Sequence, residues 1–267
     1  MLKIDEIIAL IASLGTWAAA IATFLTVRQI RKQSEASYRP ELTFTRTIFE
    51  GVPLSTLVKS PPPTGSLYKS PSPGVWLKTG DEHAGDKHAE DKVVLPQFTV
   101  PLRNVGLGAA KDIALSWSVP MDELGKQLEE LGAQHKLTSP CFKCKSNSFQ
   151  IVPESLGRSV FYWQNKATID YLVPVATQSE PYMLELPNGY VQAVSMLVFL
   201  FFNSPEETAK KARDFDIPVL KVDFEYFDIG DHKHHTSFNI EITASGIFSN
   251  EDGVCHFFGA VEFKKPS

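Results

Sequence analysis

The stretch VLKVDFEYFDIGDHKHHTSFNIEI, residues 219–242, decides the fold class. Leu220, Val222, Phe224 and Tyr226 fall on one side of an extended chain, and Lys221, Asp223 and Glu225 fall on the other. A period of two marks a strand with one buried face. Gly230 supplies a turn, and Phe238, Ile240 and Ile242 resume the alternation. Two such strands joined by a tight turn read as an antiparallel hairpin.

The tip of this hairpin, DHKHH, carries candidate chemistry. His232 and His234 lie two apart, so in an extended segment they face the same side and could share a metal ion. Cys141 and Cys144, in SPCFKCKSN, have the C-x-x-C spacing of a redox pair or of half a zinc site. Cys141, Cys144, His232 and His234 together would make a tetrahedral zinc site, with Cys255 and His256 as other possible ligands. The plainer expectation, preferred here, is two reduced thiols in a loop, a solvated turn tip and no cofactor. His83 and His88, in GDEHAGDKHAED, sit in a charged loop where a site would bear the full ordering entropy.

Outward from the hairpin the β pattern continues. ELTFTRTIF reads as a first strand through Leu42, Phe44 and Ile48; FTVPLRN follows through Phe98, Val100 and Leu102. Next comes the glycine turn NVGLG, and then DIALSWSV through Ile113, Leu115, Trp117 and Val119. A phosphate-binding glycine turn needs a helix behind it, to supply amides and dipole. A strand follows Gly108, so Gly106 and Gly108 serve the turn itself.

Met121, Leu124, Leu128 and Leu131 share one helical face, with Gly132 as the expected stop. FQIV, SVFYW, TIDYLVPV and VCHFFGAVEF read as further strands. YVQAVSMLVFLFF reads as a buried strand or core helix, and SPEETAKKARDF as a helix capped by Ser204, with Pro205 and Glu207 behind it. Residues 51–91 lack periodicity and read as a long polar loop. The expected class is mainly β with α+β character at the margins, an antiparallel β-sandwich of which the immunoglobulin-like form, with Trp117 in its core, is one.

The N-terminal segment differs. From Ile7 to Val27 no side chain is charged, about 20 residues, the length that crosses ~30 Å of hydrocarbon as a helix. Lys3, Asp5 and Glu6 precede the run, and the juxtamembrane basic residues Arg28, Arg31, Lys32 and Arg39 follow it. The positive-inside rule then predicts a single-pass inner-membrane protein with its N-terminus out and its C-terminal domain cytoplasmic. The expected division is an anchor and juxtamembrane helix over residues 1–39 and a cytosolic β-sandwich over 40–267. Ala12, Gly15, Ala19, Ala22 and Thr26 form a small-residue face suited to helix packing, hence to a homo-oligomer.

A formal net charge of −5 argues against nucleic acid as a partner. Three cysteines make no disulfide framework. Neither G-x-S-x-G, H-E-x-x-H nor a Walker-type glycine loop occurs, so no enzyme is expected.

In organisation the chain resembles a loosely defined group of bacterial membrane-anchored proteins with a cytosolic β-rich domain. The resemblance rests on SYRPEL after a basic helix end, on LRNVGLGAAKDIALSW and on VDFEYFDIGDHKHHTSFNIEI. It implies a direction only: action at the membrane, in some relatives in stress or phage defence. The expected function is a membrane-anchored binding or sensing module without enzymatic activity, its partners the lipid bilayer and a protein or small-molecule ligand. The alternatives are a membrane effector that oligomerises through its helix, and a zinc or redox activity at the C-x-x-C pair.

Overall fold

The computed structural model describes residues 4–52, 75–78, 98–137, 141–145, 147–152, 159–202, 216–249 and 255–266. The histidines of the 81–91 loop and the helix expected over 204–215 lie outside them.

The chain is mainly β. One antiparallel sheet has the order β1 (Leu42–Phe44), β4 (Thr99–Asn104), β10 (Tyr182–Glu185). A seven-stranded sheet runs β3 (Val75–Lys78), β2 (Thr47–Val52), β13 (Cys255–Lys264), β12 (Lys233–Ser249), β11 (Leu220–Phe227), β5 (Ala110–Ser118), β9 (Lys166–Leu172). A third holds β6 (Phe142–Lys145), β7 (Ser148–Ile151) and β8 (Ser159–Tyr162). Helices α1 (Ile4–Ser37), α2 (Met121–Gln134) and α3 (Asn188–Phe202) complete the described elements. The hairpin that decides the class pairs Leu220 with Ile240 through to Phe227 with Lys233, and Leu220, Val222, Phe224 and Tyr226 are all buried.

The two-sheet, immunoglobulin-like expectation is corrected to three sheets, among the described residues, with helices in the core. Its physical cause is visible in two places. ELTFTRTIF is not one strand but two: Leu42 and Phe44 are buried in the first sheet, and the chain then crosses at Thr45–Arg46 into the second. The crossing shifts the phase by one, so Phe49 is fully buried while Ile48 is 56% exposed. Phe44 fastens the two sheets together, stacking on Phe263 at 4.4 Å and meeting the edge of Phe238 at 5.1 Å. The second place is α3, whose apolar run is a helix because a core contact surrounds it on every side. Tyr190, Val194, Leu197 and Leu200 are all buried in the common core.

Helix α2 buries Met121, Leu124, Leu128 and Leu131, as their spacing predicts. Gly132 does not stop it. The helix continues to Gln134, and Lys136, at φ 57°, makes the left-handed turn that ends it. Gly132 instead gives room to the Cys141 sulfur, which a Cβ there would meet at 3.2 Å.

The membrane-spanning expectation does not hold. Among the described residues no helix is long and apolar enough to cross a membrane. Helix α1 exists, but over residues 13–30 its aliphatic side chains are interleaved with Ser13, Gly15, Thr16, Thr23 and Thr26 and run into Arg28 and Gln29. Glycine, hydroxyl groups and a cation weaken the transfer free energy that a hydrocarbon core demands. The single-pass anchor, the inner-membrane location and the outward N-terminus all fall with that finding.

The glycine turn has a specific task at the root of α1. A Cβ on Gly108 would overlap the Tyr38 carbonyl, and one on Gly106 would overlap that of Arg39, so only glycine lets the chain leaving α1 pass over the turn. Asn104, 1% exposed, holds the crossing. Its Oδ1 accepts from the Glu41 N–H at 3.0 Å and the Gly106 N–H at 3.1 Å. Its Nδ2 donates to the carbonyls of Gly108 at 2.7 Å and Leu172 at 3.1 Å.

Asn104→Ala leaves these four backbone groups without their partner, and the expected loss is roughly 2–4 kcal/mol. Urea unfolding of the full chain measures it; a loss below ~1 kcal/mol would show that the amide is not the tie described.

Candidate functional site

The histidines of the β11–β12 tip do share a partner, and it is a carboxylate. Asp228, 7% exposed, accepts the Gly230 N–H at 2.8 Å and the His232 N–H at 2.9 Å on Oδ1. Its Oδ2 lies 3.1 Å from His232 Nδ1 and 3.0 Å from His234 Nε2. Burial alone would raise the Asp228 pKa, but hydrogen bonds from His234, His232 and Gly230 outweigh it and hold the pKa at about 2. An ionised carboxylate only accepts, so the ring nitrogens facing it carry protons and are not open to a metal. His234 also stacks on Tyr226 at 5.4 Å, while His235 reaches Asp223 at 3.8 Å.

Cys141 and Cys144 are placed elsewhere, at the start of the third sheet and against α2. They are not brought together with His232 and His234, which lie on the seven-stranded sheet. Among the described residues no group of three or more His, Cys, Asp or Glu is arranged to hold a metal ion. Neither thiol is in a disulfide, and burial, with Glu129 nearby, raises their pKa, that of Cys144 to about 11. Little thiolate exists at neutral pH, which works against redox exchange.

On α1, Gly15, Ala19, Ala22, Thr26, Arg28 and Lys32 are exposed. Ala12 and Arg31 occupy helical positions whose side chains lie outside the described residues. Thr26 donates its hydroxyl to the Ala22 carbonyl at 2.8 Å, a bond within the helix. Arg39 lines a crevice of about 480 Å³ at the root of α1 with Glu41, Tyr226 and Lys265.

The sequence reading misses a cleft of about 470 Å³ between β9, an edge of the seven-stranded sheet, and β10, an edge of the three-stranded one. Phe98, Trp117, Tyr162, Trp163 and Tyr182 supply its aromatic surface, and Gln164, Asn188 and Gln192 supply amides. Asn165 ties two of these residues together: its carbonyl accepts the backbone N–H of Trp117 at 2.8 Å, and its Oδ1 accepts the indole Nε1–H of Trp163 at 2.8 Å. Trp163 lies against Gly189 at the start of α3, where a Cβ would overlap its six-membered ring. The one legible signal is YWQN, residues 162–165: two aromatics and two amides where a strand ends. Among its described lining residues, the cleft has Lys166 and Glu185 as charges, and no His, Cys, Asp, Ser or Thr.

The chain matches no protein-family model, no curated protein and no solved structure.

The Asp228 pKa is lowered, so its contribution to stability is complete above the ordinary carboxylate value of 3.8 and is lost as pH falls through about 2. Asp228→Asn should destabilise the chain by roughly 1–3 kcal/mol at pH 7. The gap between wild type and variant in urea should narrow only below pH 3.8. A gap that closes already at pH 5 would contradict this assignment.

Proposed function

We propose that this chain is a non-enzymatic binding module that takes a ligand with a flat aromatic body and amide-type polar groups into the cleft between β9 and β10. One observation carries the reading: two tryptophans and two tyrosines converge with three amide side chains in a single concave site. Aromatic walls give area and a stacking preference, and fixed amides orient a polar rim. Aromatic and amide groups dominate the described lining of the cleft, so recognition is the chemistry they support best.

The probe is N-acetyl-L-tryptophanamide, which combines one ring with two amides. It should bind the full chain saturably with a Kd on the order of 0.1–1 mM, the strength its size allows. Gly189→Val drives the Trp163 ring into the cleft, and Tyr182→Ala removes a wall from its exposed rim. Each should weaken binding about fivefold or more, as the loss of an aromatic contact requires. Two-dimensional NMR of both variants checks that the fold is kept. Absence of saturation, or affinities unchanged in both variants, would overturn the reading.

A further inference from the structure

Helix α1 carries large apolar side chains that nothing among the described residues covers. Every described residue from 13 to 30 is exposed, Trp17 at 71% and Phe24 at 66%. Leu14, Ile21 and Leu25 share their side of the helix and are also more than half exposed. Gly15, Ala19, Ala22 and Thr26 lie on the other side, where exposure costs little.

The large residues are spaced as a coiled-coil seam. Ile7, Leu10, Leu14, Trp17, Ile21 and Phe24 follow one another at alternating steps of three and four. That 3.5-residue period keeps one stripe facing a single partner helix.

The charges choose the partner and its direction. Asp5 and Glu6 lie at the N-terminal end of the helix, with Lys3 just before it; Arg28, Arg31 and Lys32 lie toward its other end. A parallel copy would set three cations against three cations. An antiparallel copy sets Asp5 and Glu6 against Arg28, Arg31 and Lys32 at both ends. It also sends the two β bodies to opposite ends of a helix about 50 Å long.

We propose that α1 pairs antiparallel with α1 of a second copy of this chain through the seam of Leu14, Trp17, Ile21 and Phe24. The contact is isologous, so it closes at two subunits. With Leu25 at its margin, the seam hides on the order of 1,000 Å² over both copies, the size at which specific interfaces begin. The pairing is independent of the cleft and its ligand.

Sedimentation velocity of the full chain in surfactant-free buffer, over a range of concentrations, tests it. The wild type should sediment as a dimer. Trp17→Glu with Ile21→Glu should sediment as a monomer whose circular dichroism still shows the folded β body, because both side chains are exposed. Arg28→Glu, Arg31→Glu and Lys32→Glu combined should weaken the dimer roughly tenfold or more, by exchanging several attractive pairs for repulsive ones. Adding Asp5→Lys and Glu6→Lys should restore it, since only an antiparallel neighbour reunites the opposite signs. A monomeric wild type, larger assemblies, capture of the monomer by lipid vesicles, or failure of the compensating pair to rescue would each overturn the proposal.

Discussion

One buried amide organises this molecule. Asn104 uses both faces of its side chain: two N–H groups arrive at Oδ1 and two carbonyls are served by Nδ2, while its own carbonyl accepts the Val175 N–H at 2.9 Å. It therefore joins the exit of α1, the glycine turn, the end of β9 and the loop beyond it. The arrangement is selective for its residue type. Aspartate has the acceptors but no donors for Gly108 and Leu172; an aliphatic side chain has neither. In a site without water, each missing partner is a full desolvation loss, which is why a satisfied network rigidifies and an incomplete one unravels.

Around that point the sheets are fixed by shape as much as by hydrogen bonds. Phe44 leaves the three-stranded sheet to meet Phe224, Phe238 and Phe263 of the seven-stranded one, so the short β1 is held by ring contacts worth about 0.5–1.5 kcal/mol each. In β5, Asp112 adopts φ 49° and the register against β11 slips by one residue. This bulge lets Ala110 and Ile113, an odd number of residues apart, both be buried. The hairpin tip is braced in turn: Asp228 holds His234, His234 lies on Tyr226, and the Tyr226 hydroxyl points to the Pro40 carbonyl at 3.4 Å. The root of α1 is thus approached from two sides by polar groups whose partners are all in the body.

What could be read in the sequence was whatever repeats along one element. The alternation of Leu220, Val222, Phe224 and Tyr226 and the helical face of Met121, Leu124, Leu128 and Leu131 are local facts, and burial follows them. A chain that changes sheets within ELTFTRTIF leaves the same alternating pattern until Ile48, where the phase breaks; one residue is too little to reveal it. YVQAVSMLVFLFF is apolar all round, so periodicity could not separate helix from strand. Gly132 looked like a terminator because glycine often ends helices, but its requirement comes from a sulfur 3.2 Å from where its Cβ would be. The cleft was hidden for a related reason. Its walls come from β5, the β8–β9 turn, β10 and the start of α3, which only the fold brings together. The anchor expectation took an uncharged run as its measure and gave too little weight to the glycine and hydroxyl residues within it.

The same amide also links the two surfaces that carry the functional proposals. The cleft opens between β9 and β10. β10 is hydrogen-bonded along β4, whose last residue is Asn104, and β9 ends at Leu172, whose carbonyl Asn104 holds at 3.1 Å. Both lips of the cleft therefore converge on one side chain, the one that also grips Glu41 at the exit of α1. Asn104 thus ties both lips to one point, and packed interiors give little around it. The side chains of α1 from 13 to 30 are all exposed. Its direction is set at its root, so a small rotation there becomes a larger displacement at its far end, about 50 Å away.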